Sequence, residues 1–200
     1  METIPPSPPL NETPSYANML KRKYQIFVSS TYDDLKEERR AVIEAILRMK
    51  HIPIGMELFQ AGNTDQWSYI KNRILESDYY VIIVAERYGS TIADGMSYTE
   101  LEYRFAVENG IPVAAFLLDD KSRPSWPNIH TEFEKKTQIE EFRKLCSQKI
   151  VSYWNDAGEL STKCLLALME LFEAFPRTGW VPSSLAADPI VFAQLATLSH

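Results

Sequence analysis

From Tyr24 onward, short apolar runs alternate with longer amphipathic ones, the pattern of strand and helix units that build a parallel sheet. Residues 24–29 form the first run. Ser30 and Thr31 are placed to cap a helix whose first turn carries Asp33 and Asp34; Leu35, Val42, Ile43 and Ile46 fall on one of its faces, and it ends near Lys50. Residues 52–59 read as a second strand and 65–76 as a second helix. Residues 79–85 are continuously apolar and rich in β-formers, which predicts a strand buried on both faces at the centre of the sheet. A third helix runs from Ser97 through Asn109 and is stopped by Gly110, where a left-handed residue is wanted, and 111–118 is a fourth strand. After Asp119 the chain turns polar and proline-broken (KSRPSWPNIH). A charged helix over about 131–148, a fifth strand over 150–154 and an apolar helix over 160–175 follow. Leu165, Leu168, Met169 and Phe172 of this last helix either cover a sheet face or meet a partner, and core is the favoured reading. Residues 190–198 read as the start of a further helix.

Right-handed crossovers through these helices lead to a three-layer, flavodoxin-like α/β fold with a parallel sheet in the order 2-1-3-4-5. The first twenty residues hold five of the twelve prolines and no periodicity, so 1–21 is expected to be a disordered tail, 22–180 the α/β domain and 181–200 an extension or linker. The tail lacks the basic start and apolar stretch of a signal peptide, which places the chain in the cytoplasm and makes the sequon at Asn11 a chance match.

Composition narrows the chemistry. At 200 residues with 45% hydrophobic and 24% charged, the chain has the make-up of one soluble domain, and no apolar run reaches membrane-spanning length. A formal charge of −6 argues against direct nucleic-acid binding, which is driven by excess lysine and arginine. Cys146 and Cys164 cannot make a disulfide framework, and His51, His130 and His200 have no metal-ligand spacing, so neither metal nor bound cofactor is expected. No glycine-rich phosphate loop with a lysine and no Gly-x-Ser-x-Gly elbow is present.

In open parallel sheets, ligands bind beyond the carboxyl ends of the strands. After the first strand come Ser29, Ser30 and Thr31, whose hydroxyls suit either a phosphate or a helix cap. Trp67, after the second strand, offers a ring for stacking or for packing. Arg87 and Tyr88 follow the third strand, and Tyr98 opens the third helix. Ser97 and Glu100 have capping-box spacing, which explains Glu100 as the side chain that reaches back to the cap amide. Glu102 has no such explanation. One turn into the helix, it is expected to be ionised at neutral pH and suited to stabilising a sugar cation; the alternative is a solvated surface glutamate.

Glu102, Ala106, Gly110 and the following IPVAAF resemble the spacing of the catalytic glutamate helix in nucleoside deoxyribosyltransferases and in TIR domains that cleave NAD. YQIFVSSTYDDLKEER, ERYG and SYTELEY resemble more closely the TIR-like domain of unknown function (DUF4062), found at the front of many proteins and often before STAND-type NTPase modules. This resemblance covers about residues 24–119. It implies a TIR-like signalling or defence domain that hydrolyses the N-glycosidic bond of NAD or a related nucleotide and is activated by self-assembly. Catalysis would rest on Glu102, and Ser29, Ser30, Thr31, Trp67, Arg87, Tyr88 and Tyr98 would hold the substrate. The loop 90–95 lacks the tryptophan–cysteine pair common in TIR domains. The alternative is a non-catalytic protein-interaction or nucleotide-sensing module of a STAND-type protein, self-associating through its last helix. The end of the chain at His200 suits a fragment of such a protein.

Overall fold

A parallel sheet forms when each strand is followed by a helix long enough to return the chain to the same edge, and this sequence supplies that unit repeatedly. The computed structural model describes residues 22–55 and 66–181. The strands are β1 (Gln25–Ser29), β2 (Ile52–Ile54), β3 (Tyr79–Val84), β4 (Val113–Leu118) and β5 (Ile150–Trp154). The helices are α1 (Lys36–Arg48), α2 (Gln66–Leu75), α3 (Tyr98–Glu108), α4 (Lys136–Cys146) and α5 (Ala157–Ala174). All strand pairs are parallel and the order is 2-1-3-4-5, as the sequence predicts.

Alternation along the strands divides the interior into two layers. Tyr79, Val81 and Ile83 of β3 pack with Leu35, Val42 and Ile46 on one face, joined there by Leu160, Cys164, Leu168 and Leu171 of α5. Tyr80, Ile82 and Val84 point the other way, into Ile70 and Ile74 of α2, Tyr103 and Ala106 of α3, and Ile139, Phe142 and Cys146 of α4. The result is the three-layer arrangement, with β3 central and buried throughout. Leu168 is fully buried and Phe172 packs against the same layer, so core is right for that part of the α5 stripe; Met169, placed on the stripe by the sequence pattern, is instead more than half exposed, as is Leu166.

Several boundaries differ from expectation. Helix α1 begins at Lys36, so Ser30 and Thr31 do not cap it; the cap position falls on Leu35, and the acids of the first turn are Glu37 and Glu38. Residues 30–34 instead form a loop over the end of β1. Helix α4 starts five residues later than expected, after short 3-10 turns at Arg123–Ser125, Asn128–His130 and Phe133–Lys135. The tail 1–21, the sequon, residues 56–65 of the second strand and its loop, and the helix expected over 190–198 lie outside the described residues.

Tyr24–Gly179 make one compact unit, and the remaining described residues belong to a second. Within that second unit Lys23 and Trp180 exchange two backbone hydrogen bonds of 2.8 and 2.7 Å. No described helix is long and apolar enough to cross a membrane.

Candidate functional site

The chain leaves β1 toward α1 on one face of the sheet and leaves β3 toward α3 on the other. Loops that diverge from adjacent parallel strands leave a crevice at their carboxyl ends. Here it is a cleft of about 270 Å³ lined by Ser29, Ser30, Thr31, Asp34, Arg39, Gln66, Arg87, Gly89, Ser90, Tyr98, Thr99 and Glu102, among others. Volumes of small-molecule sites begin near 300 Å³, so the cleft lies at the small end of that range.

Glu102 stands on α3 where that helix faces the end of β1. Ser29 shares the sheet face of Phe27, which points to the α3 side, and its hydroxyl donates to Oε2 of Glu102 at 2.6 Å. Burial pushes the Glu102 carboxyl up to about 7; the Ser29 hydroxyl and the Arg39 charge pull it back only in part. The sequence led to the expectation of an ionised group at neutral pH. In the folded protein the helix dipole is outweighed by loss of water, leaving an acid poised between its two forms.

Ser30 faces the α1 side, where Arg39 donates to its hydroxyl at 2.9 Å and to the Val28 carbonyl at 3.3 Å. Arg39 is 1% exposed. Its role was missed in the sequence, although its position four residues after Leu35 and three before Val42 puts a cation on the apolar stripe of α1, and that anomaly was legible. Asp34 is a second buried polar residue of the cleft, 5% exposed, and neither of its carboxylate oxygens receives a hydrogen bond. Burial raises its pKa, and the nearby Thr31 hydroxyl, its own backbone N–H and the charges of Arg87 and His130 draw it back in part.

The capping box expected of Ser97 and Glu100 is only half formed. Ser97 caps α3 by accepting the Glu100 N–H at 3.1 Å. The Glu100 carboxylate does not return to the cap amide. It accepts the Tyr88 hydroxyl at 2.7 Å and the Arg104 guanidinium at 2.8 and 2.6 Å, partners that are better donors than a lone amide.

Of the sequence-derived candidates, Ser29, Ser30, Thr31, Arg87, Tyr98 and Glu102 meet around the cleft. Two do not. Tyr88 is turned inward, 5% exposed, with its hydroxyl on Glu100. Trp67 packs edge-on against Phe105, 5.8 Å between ring centres, with Lys71 over its face.

The loop after β3 is held in place by a segment whose part in the site the sequence did not disclose. Glu132 Oε2 accepts the backbone N–H groups of Tyr88 and Gly89 at 3.0 and 2.9 Å, and Lys135 donates to the Gly89 carbonyl at 2.7 Å. Burial works to raise the Glu132 pKa, but Lys135 and the two amides prevail and hold it below the usual carboxylate range. Gly89 has φ of +87°, and a Cβ there would lie 2.8 Å from Thr31 Cγ2, so the β1 and β3 loops touch at a point only glycine fits. Among the described residues no group of three or more His, Cys, Asp or Glu could hold a metal ion.

A family model, the domain of unknown function DUF4062, matches residues 25–169. Curated proteins give no match. Among solved structures, the chain is similar to a TIR-domain chain of the activated Roq1 resistosome directly recognizing the pathogen effector XopQ. The identity is 13%, covering 74% of this chain and 98% of that one, with a TM-score of 0.50. A looser likeness, TM-score 0.32 at 12% identity over 75% and 97% of the chains, is to a diflavin flavoprotein A3 from Nostoc sp.. The fold is TIR-like.

Proposed function

The chain belongs to the DUF4062 family of TIR-like domains, and from that premise we propose that it is a signalling or defence effector that hydrolyses the nicotinamide N-glycosidic bond of NAD or a related nucleotide. One observation carries the reading: a carboxyl with a pKa near 7, hydrogen-bonded to Ser29, stands in a crevice at the carboxyl ends of β1 and β3. The solved TIR chain is described as part of an activated resistosome, which supports activation by assembly.

Nicotinamide departs as a neutral ring from a cationic one, so its departure requires no strong acid. The barrier lies in the oxocarbenium-like ribose left behind. The cationic substrate favours the carboxylate form of Glu102, and the carboxylate then faces the developing charge at C1′. Water attacks C1′ as the C1′–N bond breaks, the bonding pair leaves with nicotinamide, and the proton released by the water passes to Glu102. A group titrating near 7 both gives and takes that proton at neutral pH. Ser29 orients the carboxylate, Ser30 and Thr31 approach ribose or phosphate oxygens, Arg87 neutralises a phosphate, and Tyr98 offers a ring face.

The test follows nicotinamide release from NAD by chromatography, with concentrated and with diluted protein, for wild type, Glu102→Gln and Glu100→Gln. Release is expected from wild type and Glu100→Gln and is expected to vanish in Glu102→Gln. Equal release in wild type and Glu102→Gln removes the enzymatic reading. No release at any concentration, with nucleotide still bound, replaces it with the sensing module.

A further inference from the structure

The loop that leaves β1 borders two spaces. Tyr32 and Arg39 line the cleft that holds Glu102, and they also line a groove of about 260 Å³ along α1, completed by Lys36, Arg40 and Ile43. The spacing of Lys36, Arg40 and Ile43 puts the three on one face of that helix, next to Tyr32. The Arg39 guanidinium donates to the Val28 carbonyl and the Ser30 hydroxyl, which makes it a fixed wall common to both spaces.

The groove combines apolar and cationic groups that the core does not use. Tyr32 is 44% exposed, with the Lys36 amine 5.2 Å from its ring centre. Ile43 is half-buried and joins neither core layer, although Val42 and Ile46 on the same helix are sealed. Three of the lining residues are cations and none is an acid. Lys36 meets Asp33 at 3.8 Å, but both side chains are exposed, so the pair is too weak to cancel the charge. Arg40 is exposed and makes no ion pair among the described residues.

A ligand for this groove needs a flat apolar group with negative charge close to it. Nucleotides have both: the base lies against a phenol ring and an aliphatic side chain, and the phosphates meet the cations. The formal charge of −6 on the whole chain disfavours a long polyanion that extends past the groove. Cleft and groove are each small for a ligand site, at about 270 and 260 Å³, and joined over Tyr32 they come within the usual range.

We propose that cleft and groove form one two-part site for a dinucleotide. The nicotinamide ribose lies in the cleft, the pyrophosphate passes Tyr32 toward Lys36 and Arg40, and the second nucleoside settles against the Tyr32 ring and Ile43. This deepens the reading given above and rests on it for the half that reacts. Contacts in the groove are remote from the reacting bond, so they set the choice of a dinucleotide over a mononucleotide.

The experiment titrates NAD and nicotinamide mononucleotide by calorimetry into the full chain carrying Glu102→Gln, which blocks turnover during the titration. The same chain is then tested with Arg40→Gln or Tyr32→Ala added. NAD is expected to bind about 10-fold more tightly than the mononucleotide, the worth of one hydrogen bond to a charged group. Each added substitution is expected to weaken NAD by about 5- to 10-fold and to leave the mononucleotide within about 2-fold. The mononucleotide thus reports whether the variant is still folded. Equal affinity for the two ligands, no binding of NAD, or a loss shared by both ligands overturns the inference. Failure of either reading is separable from failure of the other. Nicotinamide release from NAD with a KM unmoved by Arg40→Gln and Tyr32→Ala sinks the groove alone, whereas the expected affinities without release from the chain that retains Glu102 sink the glycosidase reading alone.

Discussion

The Ser29 hydroxyl donates to Glu102 Oε2 at 2.6 Å, joining the last residue of β1 to a helix 73 residues further along the chain. This bond favours the carboxylate, so it lowers a pKa that burial has raised. Ser29→Ala is expected to move the Glu102 pKa above about 7 and to carry the acid limb of the pH–rate profile for nicotinamide release with it. An unmoved limb in this variant argues that another group controls the rate.

The same raised pKa has a consequence for stability. Between the ordinary glutamate value of 4.5 and about 7, the unfolded chain has released the Glu102 proton while the folded protein retains it. The folded state therefore loses stability as pH rises through this window. Glu102→Gln removes the penalty and still accepts from Ser29, so it is expected to be neutral near pH 4 and stabilising by about 1–3 kcal/mol at pH 8. Denaturant titrations at the two pH values check the sign.

Gly89→Ala places a methyl group at a left-handed position and 2.8 Å from Thr31 Cγ2. A loss of about 1–3 kcal/mol is expected. Adding Thr31→Ser removes the methyl group that clashes and should recover the steric part while the backbone part remains. Full recovery would show that the φ angle costs nothing.

Glu132 joins the residues before α4 to the loop after β3 through two amides. Glu132→Ala is expected to cost about 1–3 kcal/mol and to speed hydrogen exchange selectively at Tyr88 and Gly89. A uniform rise across the domain points to global destabilisation instead.

Leu168→Asp puts a charge into the sealed α5 layer and is expected to cost more than about 4 kcal/mol, enough to unfold a marginal domain. Leu166→Asp and Met169→Asp lie on the exposed side of the same helix and should stay within about 0.5 kcal/mol of wild type by thermal melting. A test of self-association through α5 therefore belongs at Leu166 and Met169.

The sheet was legible because its central strand is apolar at every position and its helices show clear periodicity; β3, the Ser97 cap and the Gly110 stop stand where the pattern puts them. The loop after β1 was not, because Ser30 and Thr31 look like caps until Arg39 takes the Ser30 hydroxyl. Tyr88 and Trp67 were assigned to the site by their place after strands. Sequence position fixes the loop and leaves the direction of the ring open, and Tyr88 found Glu100 while Trp67 found Phe105. Asp34 was legible only as a first-turn acid, because the pattern starts the helix too early, and Glu132 escaped notice because its contacts are distant in sequence.

The two cysteines fall one to each side of the sheet, Cys164 with the α1 and α5 layer and Cys146 with the layer that includes α3 and the cleft side of Glu102. Burial pushes the Cys164 thiol up to about 12 and the Cys146 thiol higher still, so neither reacts while its layer is closed. Each half of the interior thus contains its own chemical clock. Labelling of the native protein with a thiol reagent records two opening rates from one molecule, and their order ranks the layers by local stability.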